Sequence, residues 1–95
     1  RGGENISPGE IEDVVRTHPN VEDVAAVAVK DIEWGEAVGL VIVASSPIED
    51  DEIIKLVRTK LRSSRVPSTI KYMDELPYNE TGKLLRRVIR DNFAD

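Results

Sequence analysis

The sequence predicts an α+β domain: a small three-stranded sheet with about three helices packed on it in two layers, in the order α-β-β-α-β-α. Three observations predict it. Ninety-five residues make one domain, spanning 1–95, with a single small core. Apolar residues recur at helical spacing in three separated stretches. Two unbroken apolar runs of strand length lie between the first and second of those stretches.

The first helix opens at Ser7-Pro8-Gly9-Glu10, where Ser7 caps, Pro8 suits the first helical position and Glu10 completes a Ser-x-x-Glu capping box. Ile6 and Ile11 are spaced for a hydrophobic staple across that start. Ile11, Val14, Val15 and His18 continue the period, and Pro19 ends the helix near Thr17 because the residue before a proline avoids the α region. Val24 to Val29 and Ala37 to Ala44 are the two strand-length runs, and the polar loop between them favours an antiparallel pair. Their near-continuous apolarity implies cover on both faces. Glu49 to Glu52 place negative charge at the start of a second helix, whose buried face carries Ile53, Ile54, Val57 and Leu61. Arg58, Lys60 and Arg62 crowd its far end, and Pro67 stops it. Thr69 to Met73 form a short third strand, and Leu84, Leu85, Val88 and Ile89 predict the last helix.

Composition excludes several function classes. Apolar residues at 40% and charged residues at 33% are ordinary for a globular chain, which argues against disorder and fibrous repeats. No apolar run approaches the roughly 18 residues of a membrane span. Without cysteine there is no disulfide or thiolate metal site, and with His18 as the single histidine a histidine-built metal centre is not expected. A chain with one small core has little room to enclose two substrates and exclude water. It is therefore expected to supply part of a site, and its start at Arg1 without a methionine or leader reads as a piece of something longer.

Charge is unevenly placed. Residues 55–90 hold ten basic side chains against three acidic ones, a local +7, while the remaining three basic and fifteen acidic residues give −12. The basic stretch either solvates helix faces or attracts an anionic partner. Four local features are candidates for chemistry. Gly2-Gly3 before a capped helix lets backbone approach a ligand, or is a plain turn. Thr81-Gly82-Lys83 lacks the first glycine and the magnesium-binding hydroxyl of a phosphate loop, yet holds a lysine on a glycine-bearing loop near a helix start, where an anionic ligand or solvent must balance it. Trp34 in a charged loop either packs onto the core or offers a stacking platform. Arg86, Arg87 and Arg90 come with no groove-reading motif and only four aromatics in the chain, so nucleic-acid binding is not expected.

Six motifs in order extend this reading. Arg1-Gly2-Gly3-Glu4-Asn5-Ile6-Ser7-Pro8-Gly9-Glu10-Ile11-Glu12, His18-Pro19, Trp34-Gly35-Glu36, Arg65-Val66-Pro67, Asp74-Glu75-Leu76-Pro77 and Thr81-Gly82-Lys83-Leu84-Leu85-Arg86-Arg87 resemble the C-terminal domain of the adenylate-forming enzymes. The opening and closing motifs look most like acyl-CoA or aryl-CoA ligases. The resemblance implies a cytoplasmic enzyme in which a carboxylic acid attacks the α-phosphate of ATP to give an acyl-adenylate, from which coenzyme A displaces AMP. It implies a large N-terminal domain as partner, holding ATP, Mg2+ and the acid, with no cofactor held by this domain alone and no activity in isolation. Lys83 matches the family's catalytic lysine. Gly2 and Gly3 match the loop that lines the pantetheine tunnel, with Glu4 ordering that site, and Trp34 matches a CoA nucleotide contact. The stretch before Pro67 departs from the family. Where relatives often carry an aromatic residue and a lysine, this sequence has Ser64 and Arg65, leaving Arg65 to meet a CoA phosphate. Two alternatives stand beside this: an adenylation domain of a nonribosomal peptide synthetase, and a non-enzymatic module gripping an anionic partner through residues 55–90.

Overall fold

The computed structural model describes residues 7–31, 35–61 and 66–93. The elements run α1 (Pro8–Val15), β1 (Val21–Asp31), β2 (Gly35–Ala44), α2 (Asp50–Leu61), β3 (Thr69–Tyr72) and α3 (Arg86–Asp91), the expected α-β-β-α-β-α order. The capping box is formed in full. The Glu10 N–H donates to Ser7 Oγ at 3.3 Å, and the Ser7 N–H donates to Glu10 Oε1 at 3.0 Å. Ile6, the outer half of the expected staple, lies outside the described residues, as does Arg62. In α2, acids fill the first turn and Arg58 and Lys60 the last, so both ends complement the helix dipole.

The three strands lie in the order β1-β2-β3. β1 and β2 pair antiparallel, with Val24 opposite Ile42 and Ala26 opposite Leu40. β3 pairs parallel to β2, with Leu40 opposite Ile70. A parallel neighbour needs a crossover, and α2 provides it. The ladder also continues through Lys30 with Glu36 and Asp31 with Gly35, so most of the expected polar loop between the first two strands is strand.

Side-chain alternation divides each apolar run between the two faces of the sheet. Val24, Ala26, Leu40 and Ile42 meet Ile11 and Val15 of α1 and Ile53 and Val57 of α2. Ala25, Val27, Val41 and Val43 meet Leu76 and Ile89 of the C-terminal segment. The α+β class and element order stand as expected, while the two-layer arrangement is replaced by three layers, because α3 covers the face that α1 and α2 leave open. A sheet apolar on both sides requires that second cover. Among the described residues no helix is long and apolar enough to cross a membrane.

Candidate functional site

Lys83 stands at the base of a short closed loop. The strand-like segments on either side pair antiparallel at Tyr78 and Leu84. The Leu85 N–H donates to the Pro77 carbonyl at 2.9 Å, and the Asn79 N–H to the Lys83 carbonyl at 2.9 Å. Gly82 turns the chain with φ 84°, and no atom lies within 4 Å of where its Cβ would be, so its conformation rather than its surroundings demands glycine. Inside the loop, Asn79 Oδ1 accepts from the N–H groups of Thr81 and Lys83, each at 2.9 Å, and from Thr81 Oγ1 at 2.8 Å.

Two long-range bonds brace this loop against the sheet. Tyr78 Oη donates to Asp23 Oδ2 at 2.5 Å, and that bond raises the phenol's pKa above its usual value. Beyond Lys83, the Arg86 guanidinium forks onto Glu12, with Nη1 to Oε2 at 2.7 Å and Nη2 to Oε1 at 3.3 Å, and Nη1 also reaches the Ala26 carbonyl at 2.8 Å. Glu12 is buried, and its Oε2 accepts the Ala26 N–H at 2.9 Å as well. The hydrogen bond to Glu12 is the largest cause holding the Arg86 pKa above its usual value. The Lys83 side chain is exposed, and among the described residues no carboxylate pairs with it. The loop therefore presents an ammonium to solvent from a backbone tied to β1 and α1.

The local setting of Lys83 differs from expectation in one respect. α3 begins at Arg86 with Leu85 as its N-cap, so Lys83 belongs to the paired loop and not to the helix terminus. Leu84 is held in the bridge to Tyr78 and cannot start the helix. Gly2, Gly3, Glu4, Trp34 and Arg65 all lie outside the described residues, so Lys83 is the expected site residue that the structure places. Asn79, Tyr78 and Asp23 do not stand among the residues expected at the site. Asparagine two positions before Thr81 carries the signal of an Asx turn, whereas Asp23 lies 55 residues from Tyr78 and no local pattern points to it.

Other polar side chains bond within the fold. His18 Nδ1 accepts the Asn20 N–H at 3.1 Å, which leaves the ring hydrogen on Nε2 to reach Glu52 Oε1 at 2.9 Å. That hydrogen bond is the main cause lowering the Glu52 pKa below its ordinary 4.5. Lys71 Nζ donates to the Asn92 carbonyl and lies 5.1 Å from the Phe93 ring centroid. With Arg86 on Glu12 and Lys71 on the C-terminal turn, part of the basic 55–90 stretch serves the fold. Among the described residues no three His, Cys, Asp or Glu side chains converge to hold a metal ion.

Known proteins resemble this chain in sequence and in fold. The long-chain-fatty-acid–CoA ligase of Escherichia coli O6:H1 is 42% identical over 90 residues, covering 94% of this chain and 16% of that protein. The 2-succinylbenzoate–CoA ligase of Bacillus licheniformis is 39% identical over 85 residues, covering 90% of this chain and 18% of that protein. The chain thus spans less than a fifth of the length of these relatives. The crystal structure of ATP-bound MatB from Rhodopseudomonas palustris superposes with a TM-score of 0.88 at 28% identity, over 99% of this chain and 19% of that one. The family model described as the AMP-binding enzyme C-terminal domain matches residues 10–83, which run from the capping box of α1 to the lysine of the braced loop, and the chain belongs to that family.

Proposed function

We propose that this chain is the mobile C-terminal domain of an acid–CoA ligase that converts a fatty or aryl carboxylic acid and ATP to an acyl-adenylate, then to the CoA thioester. The observation that carries the reading is Lys83, an exposed ammonium on a loop braced to the sheet through Tyr78 and Arg86. In the first half-reaction a carboxylate oxygen bonds to the α-phosphorus while the bond to pyrophosphate breaks. Negative charge grows on the phosphate oxygens, and a cation fixed beforehand stabilises it without reorganising. Lys83 supplies that cation in the adenylating pose. A domain rotation then withdraws it and brings Gly2, Gly3 and Glu4 to the pantetheine side, with Trp34 and Arg65 toward the CoA nucleotide.

Magnesium and the acid pocket are assigned to the large N-terminal partner domain that the family resemblance implies. The names of both curated relatives favour coenzyme A over a carrier-protein thiol as acceptor. They also span the fatty and aryl substrate classes. The test is Lys83→Ala in the full-length enzyme, assayed by pyrophosphate exchange across a panel of fatty and aryl acids. Exchange is expected to fall about 10²–10³-fold, with thioester formation from supplied acyl-adenylate retained. Unimpaired exchange would show that Lys83 has no such role.

A further inference from the structure

The backbone amide of Lys83 donates to a side chain of its own loop, Asn79. We infer that Asn79 is the positioning residue of Lys83, holding the peptide that carries the ammonium in the conformation that adenylation needs. This inference rests on the role proposed above for Lys83.

The N–H groups of Thr81 and Lys83 both point inward and both need an acceptor, so only the oxygen of the Asn79 amide can face them. The Thr81 hydroxyl reaches the same oxygen at 2.8 Å. The Asn79 backbone closes the ring from the other side, its N–H on the Lys83 carbonyl at 2.9 Å and its carbonyl accepting from the Gly82 N–H at 3.0 Å. Asn79 therefore bonds to both the N–H and the C=O of Lys83. These two contacts fix the peptide groups on either side of the lysine Cα, and with them the direction in which the side chain leaves the backbone. Gly82 cannot do this, because it has no side chain to hold it and its conformational freedom must be restrained from outside.

Asn79, Thr81 and Lys83 are exposed, so on loss of the Asn79 side chain water takes over the freed amides and the domain's stability changes little. The cost falls on placement. A misplacement of about 1 Å at a catalytic group is worth about a hundredfold in rate. A general structural role would weaken every property of the domain alike. A positioning role lowers adenylation alone, acts through Lys83, and is rescued by any side chain with an oxygen at the same place.

The experiment uses the full-length enzyme with Asn79→Ala, Asn79→Asp, Lys83→Ala and the Asn79→Ala/Lys83→Ala double variant. Pyrophosphate exchange reports adenylation, thioester formation from supplied acyl-adenylate reports the second step, and thermal unfolding reports the fold. Asn79→Ala is expected to lower the exchange kcat about tenfold to a hundredfold, and to lower the ratio of the first half-reaction to the second by a similar factor. Asn79→Asp, whose carboxylate accepts the same bonds, is expected to recover most of the loss. In the Lys83→Ala background, removing Asn79 is expected to add nothing, which is the mark of two residues acting as one unit. Wild-type exchange in Asn79→Ala, equal loss of both half-reactions, additive loss in the double variant, failure of the aspartate to rescue, or failure of the alanine variant to fold would each overturn the inference. If Lys83→Ala itself leaves exchange intact, it is the role of Lys83 that fails.

Discussion

Both backbone polar groups of Ala26 point off the free edge of β1, and one ion pair takes them both. Its N–H donates to Glu12 and its carbonyl accepts from Arg86, while the two side chains fork onto each other. An open strand edge is a template for pairing with another chain, and a charged pair laid across it removes that option. The pair is unequally buried, the Glu12 side chain 9% exposed and that of Arg86 41%. Removing the arginine therefore strands a carboxylate that water reaches poorly. The full cost of breaking a buried pair is about 3–5 kcal/mol, and the exposure of Arg86 reduces the expectation for Arg86→Ala to about 2 kcal/mol. Arg86→Lys should recover only part of this, because an ammonium lacks the planar, rigid fork that matches both carboxylate oxygens. Urea unfolding of the two variants checks both values, and a loss below about 0.5 kcal/mol for Arg86→Ala would mean that the pair contributes nothing to stability. None of this is visible locally, since Glu12 and Arg86 lie 74 residues apart.

At the scale of elements, patterns that depend on neighbours in the chain were legible and those that depend on partners across space were not. Ser7 and Glu10 mark the start of α1 because the capping box lies within one turn. The ends of β1 and β2 were hidden because polarity reports burial, while ladder bonds form between any residues; Lys30 and Glu36 pair although both are charged. α3 starts two residues after its apolar pattern, because Leu84 is held in the bridge to Tyr78. Gly39 is the clearest omission. It lies in β2 opposite Val27, with Phe93 packed over it from the C-terminal turn. A Cβ there would meet Val29 Cγ1 at 2.9 Å and Phe93 Cζ at 3.1 Å. Valine is stiff at χ1 and cannot swing aside, so Gly39→Ala forces the strand or the aromatic ring to move. Overpacking of this kind costs about 1–3 kcal/mol, and each kcal/mol lowers the melting temperature of a domain this size by about 4–8 °C. An unchanged melting temperature in Gly39→Ala would show that the second core gives way freely.

At the scale of the whole molecule, the candidate site residue and its support were unequally legible. Lys83 stands out through the resemblance of Thr81-Gly82-Lys83-Leu84-Leu85-Arg86-Arg87 to the family's closing motif, a contiguous stretch, while the Tyr78–Asp23 and Arg86–Glu12 bonds that hold that loop join distant parts of the chain. The same long-range bonds bear on stability. Both faces of the sheet are covered within these 95 residues, so the chain is expected to unfold cooperatively on its own. Its response to pH follows from the tyrosines. Tyr72 donates to Asp50 Oδ1 at 2.9 Å and Tyr78 to Asp23, and both phenols have pKa values above the ordinary 10.0, Tyr72 chiefly through burial and Tyr78 chiefly through its hydrogen bond. A phenol whose pKa is raised by folding stabilises the fold while protonated. That contribution is complete below pH 10.0, the ordinary value, and is lost as pH climbs through the higher folded values. Glu52 acts at the other end. Its pKa is lowered below 4.5, so its contribution is complete above that pH and is lost as pH falls through the folded value. Comparing the wild-type chain with Tyr72→Phe/Tyr78→Phe by urea unfolding across pH isolates the alkaline limb. The double variant should be less stable by a constant margin at neutral pH, and the margin should narrow once pH exceeds 10.0. A margin that stays constant through the alkaline range would show that neither phenolic hydrogen bond distinguishes the folded chain from the unfolded one.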